Sequence, residues 1–201
     1  MKFAIISGSA RSNSQSLKIS KYLEKELKQT KGNSTYLLNL EGNPIPLWDE
    51  GIFGPDEKWQ KAWGPISAEL ESSDALVLVC PEWHGSTPAA VHNLLQVGTT
   101  KEFGHKPVLI VTVSAYVGGA YPVSELRMAG YKNNRLCYMP EQLIVRHAPQ
   151  TFNGDTMESQ DDAYLRARAT YCLKLLAEYS KALKAVRESG VIDHKTYPNG
   201  M

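Results

Sequence analysis

The chain has 201 residues, 42% of them hydrophobic and 21% charged, with a formal net charge of +1. That length favours one domain with a sizeable core, and the near-zero charge excludes a long-range field drawing the chain to nucleic acid or an anionic membrane. No apolar run approaches the roughly 20 residues that span a bilayer, so no membrane insertion is expected.

Lys2 is followed by a short apolar run only, so no secretory leader is expected either. The cysteines Cys80, Cys137 and Cys172 are odd in number and widely spaced, with no CxxC. This argues against a disulfide framework or a metal site and points to a reducing cytoplasm. Cys80 and Cys172 fall in apolar patterns and read as packed thiols.

In chain order, Phe3-Ala4-Ile5-Ile6 predicts a buried strand that stops at Ser7-Gly8-Ser9. Arg11, Ser12, Asn13, Ser14 and Ser16 follow, and Ile19, Leu23 and Leu27 then recur at helical spacing to about Gln29. A hydroxyl-rich turn at a helix N-terminus suits a phosphate, because free N–H groups and the helix dipole favour an anion and Arg11 adds a charged fork. An ordinary Ser/Asn cap remains the alternative there. Ser34–Leu40 predicts a second strand. The loop 41–55 holds three prolines and three glycines with Trp48 and Phe53; it reads either as a lid beside a ligand or as a partner-facing loop.

Trp59, Trp63, Ile66 and Leu70 share one helical face, and Gly64-Pro65 is expected to kink that helix or divide it. Leu76–Cys80 is a continuous apolar run, as in a strand covered on both faces. Pro81-Glu82-Trp83-His84-Gly85 ends it, and Pro88 opens the next helix. Pro107–Val113 predicts a fourth strand, broken at Ser114-Ala115-Tyr116-Val117-Gly118-Gly119 before helical sequence through Val123, Leu126 and Ala129. The last strand is expected at Gln142–Val145. A long helix should run from about Ser159 to Arg187, with Leu165, Ala169, Cys172, Leu176, Tyr179 and Leu183 as its stripe. One domain, 1–190, then leaves a loosely attached tail, 191–201. His92 and His105 read as surface residues, and Ala129–Arg146 borders either the ligand site or a subunit contact.

Five strands alternating with helices predict a parallel sheet with helices on both faces, a three-layer α/β fold. The first turn lacks G-x-G-x-x-G, so the flavodoxin-like order 2-1-3-4-5 is favoured over the dinucleotide-binding one. In that order ligands bind beyond the strand C-termini, between strands one and three. Three loops converge there, Ser9–Ser16, Pro81–Ser86 and Ser114–Gly119. They offer hydroxyls and a guanidinium, an aromatic ring with backbone amides, and adjacent glycines that let a backbone approach a flat ligand. A phosphate at one end and a planar ring at the other describe flavin mononucleotide (FMN).

Gly8-Ser9-Ala10-Arg11-x-x-Ser14-x-Ser16 resembles the phosphate loop of NADPH-dependent FMN reductases. Pro81-Glu82-Trp83-His84-Gly85-Ser86-Thr87-Pro88, with Asn93 downstream, is similar to that family's P-E-Y-N-x-S-x-P segment, as Ser114 and Gly118-Gly119 are to its third loop. The resemblance runs from Met1 to about Leu126. It implies FMN held non-covalently, with Ser9, Arg11, Ser14 and Ser16 on the phosphate. By the same resemblance Pro81, Glu82, Trp83, His84 and Gly85 lie along the ribityl chain and ring edge, and Ser114, Gly118 and Gly119 face the ring's other side. Trp83 stands where the family has tyrosine, and His84 where it has asparagine; an imidazole there can carry charge near neutral pH.

The reaction so implied takes electrons from NADPH to a small acceptor, such as a quinone, an azo compound, free flavin or a metal-oxyanion, in a homodimer or homotetramer. Tyr116, beside the glycines, reads as substrate-facing or as a partly buried loop tyrosine. Glu82 reads also as a carboxylate capping loop amides. A flavodoxin-type electron carrier and a non-enzymatic FMN-binding interaction module are the rival functions.

Overall fold

The computed structural model covers all 201 residues. Five strands, β1 (Lys2–Ser7), β2 (Ser34–Asn39), β3 (Ala75–Pro81), β4 (Pro107–Val113) and β5 (Cys137–Val145), form one sheet in the order β2-β1-β3-β4-β5. Every neighbouring pair is parallel. All seven residues of β3 and of β4 are buried, as strands covered on both faces must be.

Alternation along each strand feeds two separate cores. Ala4, Ile6, Leu76, Leu78 and Ile110 face one side, where helices α2 (Glu57–Glu71), α3 (Ala89–Val97) and α5 (Ala120–Met128) close over them with Trp59, Trp63, Leu94 and Leu126. Phe3, Ile5, Val77, Leu109 and Val111 face the other side, against Ile19 and Leu23 of α1 (Gln15–Lys28) and Ala169, Cys172 and Leu176 of α6 (Gln160–Glu188). A four-residue helix, α4 (Thr100–Phe103), precedes β4. No helix is long and apolar enough to cross a membrane.

Four expectations change. The helix with Gly64-Pro65 is neither divided nor ended; α2 runs unbroken through Pro65. Both residues are exposed, so the carbonyl that loses its partner faces water. The last strand starts at Cys137, not Gln142, because a register irregularity between Val108 and Ile110 accommodates the Pro140 segment. The buried stripe of α6 includes polar residues, Asp162, Arg166 and Ser180, where apolar ones were expected. Finally, the tail after Gly190 is tied down. Arg135 donates to the Tyr197 carbonyl at 2.5 Å, and the Gly200 amide donates to Asn133 Oδ1 at 3.2 Å.

Two polar clusters fix the segments around the sheet ends. Asp162 Oδ2 accepts from Arg166 Nε at 2.8 Å, and its other oxygen accepts from the Phe152 amide at 2.8 Å. The Arg166 guanidinium lies over the rings of Tyr22 and Phe152. Removing one member of such a buried pair typically costs about 3–5 kcal/mol, because the other charge is stranded. Lys18 Nζ, donating to the carbonyls of Ala148 and Thr151, ties the same segment to the first turns of α1.

At the opposite end of the sheet the rings of half-buried His105 and of His194 stack with centroids 5.7 Å apart, which makes His105 part of the tail's seat. Burial lowers the His105 pKa, and His194, Arg135 and Arg187 push it the same way. A histidine depressed in the folded state stabilises while neutral. Its contribution is complete above its ordinary value of about 6.5 and is lost as pH falls through the lower folded value. Amide exchange of residues 191–201, corrected for intrinsic rates, should therefore accelerate as pH falls below about 6.5. In His105→Asn, which tolerates the positive φ of 54°, that acceleration should be absent.

Candidate active site

Beyond the C-terminal edge of β1, the first loop crosses to α1. Ser14 is the helix cap, its hydroxyl oxygen accepting from the Leu17 amide at 3.1 Å. The capping expectation thus holds for one serine and leaves the others free. Ser9 is buried, and its hydroxyl accepts from the Arg11 amide at 3.3 Å. Ser16 lies in the first turn with its hydroxyl fully buried and without a hydrogen-bond partner. First-turn amides have no intrahelical acceptor, and Arg11 is exposed with no carboxylate within ion-pair distance. Unengaged donors thus gather at this helix N-terminus, as anion sites require. A side chain at Gly8 would meet Val91 at 2.6 Å and the Val79 carbonyl at 2.9 Å, so only glycine lets the turn lie this close to β3 and α3.

The second and third loops hold each other through two carboxylates. Glu82, leaving β3, accepts the Gly119 amide at 2.5 Å and so caps α5. Glu125, inside α5, accepts the Thr87 amide at 2.6 Å and lies 2.8 Å from His92 Nε2. Burial alone would raise the Glu125 pKa; the bonds from Thr87 and His92 outweigh it and hold the carboxyl below its usual range. Trp83 and Ser86 exchange both backbone bonds around His84 (φ 51°) and Gly85 (φ 74°), which makes a type I′ turn. His84 therefore occupies a left-handed position that asparagine favours and histidine tolerates. Its ring is on the solvent side of the turn.

In the third loop Ser114 Oγ accepts from the Tyr116 amide at 3.2 Å. A side chain at Gly118 would sit 2.8 Å from Glu82 Oε1, and Gly119 has φ 104°, so the backbone itself forms this wall. Tyr116 is 77% exposed, which removes the partly buried alternative. Ser9, Arg11, Ser14 and Ser16 thus follow β1, Pro81 to Gly85 follow β3, and Ser114 to Gly119 follow β4, on three adjacent strands.

Sequence reasoning missed two residues here, Tyr121 and His147, and placed Arg146 in a segment bordering either the ligand site or a subunit contact. Tyr121, on the first turn of α5, is exposed and places its ring 4.0 Å from a Cβ at Gly85. Arg146 and His147 follow β5. Arg146 Nε donates to the Gly118 carbonyl at 3.1 Å, and the His147 amide donates to the Tyr116 carbonyl at 3.0 Å. The one signal for His147 was topological, since the segment after the last parallel strand must emerge at the same edge.

Other chemistry is absent from this edge. Cys80 is fully buried and burial pushes its thiol up to about 12, so it is no nucleophile. A cavity of about 1050 Å³ lies along α2, α4 and the tail and is lined by none of the residues of the three loops. Its buried polar groups are already engaged. Glu102 accepts from Ser67 and Thr99, and Asn134 donates to the carbonyls of Leu95 and Gly130. Asn93, part of the second motif, is also engaged, accepting from the Trp48 amide at 2.9 Å and donating to the Pro46 carbonyl at 2.8 Å. It holds the long loop after β2 against α3.

A family model described as NADPH-dependent FMN reductase matches residues 1–150, beyond the Leu126 limit of the resemblance in the motifs. The chain is 30% identical over 124 residues to a quinone reductase of Pseudomonas putida, covering 58% of this chain and 62% of that protein. It is 28% identical over 129 residues to an FMN-dependent NADPH-azoreductase of Staphylococcus saprophyticus, covering 64% and 68%. The chain thus spans about 62% of the length of the first of these relatives. Among solved structures it is similar to FerB, a flavoenzyme NAD(P)H:(acceptor) oxidoreductase from Paracoccus denitrificans. There the TM-score is 0.70 at 20% identity, with 89% of this chain and 98% of that chain covered. The shared property is the fold.

Glu82→Ala removes the acceptor for the Gly119 amide. The expected loss is about 1–2 kcal/mol of stability by urea unfolding, with faster amide exchange concentrated at residues 118–120. Unchanged exchange there would show that the carboxylate does not hold the loops together.

Proposed function

Because the chain belongs to the NADPH-dependent FMN reductase family, we propose that it binds FMN non-covalently at the three-loop edge and reduces a small acceptor, such as a quinone, azo compound, free flavin or metal-oxyanion, at the expense of NADPH. The observation that carries this reading is the buried, partnerless Ser16 hydroxyl in the first turn of α1. Nothing in the protein satisfies it, and a phosphate oxygen at the helix N-terminus would.

The residues present fit the cofactor. Ser9, Arg11, Ser14 and Ser16 hold the phosphate, with Arg11 supplying the charge and Ser14 also fixing the helix. Pro81, Glu82, Trp83, His84 and Gly85 line the ribityl chain and ring edge. Ser114, Gly118 and Gly119 form the other wall, where the missing side chains let the backbone approach a plane. When bound, the flavin supplies the two-electron chemistry, taking a hydride from the nicotinamide and passing it on. The protein supplies position and charge. Tyr116 and Tyr121, both exposed, border the space that donor and acceptor would occupy in turn.

A dimer or tetramer belongs to this reading, supported by exposed Leu47 and Phe53 beside half-exposed Trp48; a monomer by light scattering at micromolar concentration would refute it. Three free cysteines fit the cytoplasm. The net charge of +1 favours a reductase over an electron carrier, which docks through strong charge.

Purified protein mixed with FMN should show a bound-flavin absorbance spectrum and oxidise NADPH in steady state with an added quinone. A protein that takes up no FMN refutes the reading, and flavin binding without NADPH oxidation favours the carrier. Arg11→Ala should weaken FMN affinity by about ten-fold or more, a loss exceeding any fall in kcat at saturating FMN.

A further inference from the structure

We infer that Arg146 is the binding residue for the pyrophosphate of the nicotinamide dinucleotide donor, an inference that rests on the reductase reading. Two arginines stand at the C-terminal edge of the sheet, Arg11 after β1 and Arg146 after β5. Neither meets a carboxylate within ion-pair distance, whereas Arg166 and Arg168 are paired with Asp162 and Glu141 and Arg187 approaches Asp74. Lys18 nearby has its ammonium engaged by the carbonyls of Ala148 and Thr151 and by Asn153. Glu82, the carboxylate of this edge, is engaged by the Gly119 amide. The rim therefore carries uncompensated positive charge at two places, and FMN has one phosphate, which Arg11 and the serines already explain.

Arg146 is held, not loose. Its Nε donates to the Gly118 carbonyl, and the flanking His147 and Ala148 amides donate to the carbonyls of Tyr116 and Ser114 at 3.0 Å each. The terminal guanidinium nitrogens make no bond within the chain and lie on the exposed side. They form a fixed fork suited to two phosphate oxygens.

Reach selects the ligand group. Gly118 belongs to a wall of the proposed site, so a guanidinium bonded to its carbonyl borders the space the donor would occupy. Along a nicotinamide dinucleotide the anionic group nearest the nicotinamide is the pyrophosphate, beyond one ribose. The adenosine 2′-phosphate lies a further ribose out. Arg146 should thus serve NADPH and NADH alike and leave the choice between them to other residues.

The test uses FMN-loaded protein and calorimetric titration with NADP⁺, NAD⁺ and ADP-ribose, which carries the pyrophosphate without the nicotinamide. Arg146→Gln should weaken all three by a similar factor of about ten, with Arg146→Lys intermediate, and should reduce the salt dependence of binding. The FMN dissociation constant and visible spectrum should not change. In turnover, KM for NADPH should rise, and the kcat/KM ratio of NADPH to a phosphate-free dihydronicotinamide should fall by the same factor. Loss confined to NADP⁺ would place Arg146 on the 2′-phosphate and overturn the assignment. Unchanged affinities, or a weakened FMN complex, would overturn it too, the latter by showing that the side chain acts through Gly118. Wild-type protein that cannot be loaded with FMN would overturn the reductase reading and this inference together.

Discussion

Parallel pairing throughout the sheet fixes where chemistry can occur. Every strand delivers its following loop to one edge, and β1, lying between β2 and β3, sends its chain to α1 on one face while β3 sends its chain to α3 on the other. The two loops part at that edge and leave a crevice lined by their backbones. The apolar alternation that fills both cores therefore also aligns the loops. A residue slipped by one along β1 or β3 would exchange the faces of Ile5 and Ile6 and move the crevice walls with them.

A crevice between loops needs its walls held, and half-buried carboxylates do this without filling the space. Glu82 and Glu125 bind across in opposite senses, the first from the second loop to the third, the second from the helix after the third loop back to the second. Each accepts a backbone amide at the start of a helix, where the dipole adds to the hydrogen bond. A side chain at Gly118 would collide with the same carboxylate. The glycine and the glutamate are thus one requirement seen from two sides, since the cap needs close backbone approach and close approach needs no Cβ.

The strands and the three loops were legible because they depend on local signals, namely apolar runs too long for one exposed face and clusters of Gly, Ser and Pro at their ends. The misreadings came where tertiary contact outweighs local preference. Pro65 did not break α2 because its cost falls on a solvated carbonyl. The start of β5 was missed because Pro140 interrupts its apolar run at an irregular point in the pairing. Asp162 and Arg166 fall outside the apolar stripe expected of α6, yet they are buried, Asp162 accepting from both Arg166 and the Phe152 amide. Tyr121 and His147 carried no motif, since their place at the crevice depends on contacts to Gly85 and Tyr116, tens of residues away in the chain.

The polar residues at the edge divide by whether the protein already satisfies them. Ser14, Lys18, Glu82, Asn93 and Glu125 are engaged in holding the loops, so replacing them should act first on the shape of the crevice. Arg11, Ser16 and the outer nitrogens of Arg146 are not so engaged. Fixed donors that the fold leaves unpaired carry a desolvation or repulsion cost in the free protein, and an anionic ligand recovers it. Their distribution is uneven, with donors clustered after β1 and a second cation after β5, and the aromatic and glycine surfaces between them. The proposed binding of a flavin nucleotide and a nicotinamide dinucleotide draws on that distribution, one cation for each anionic group.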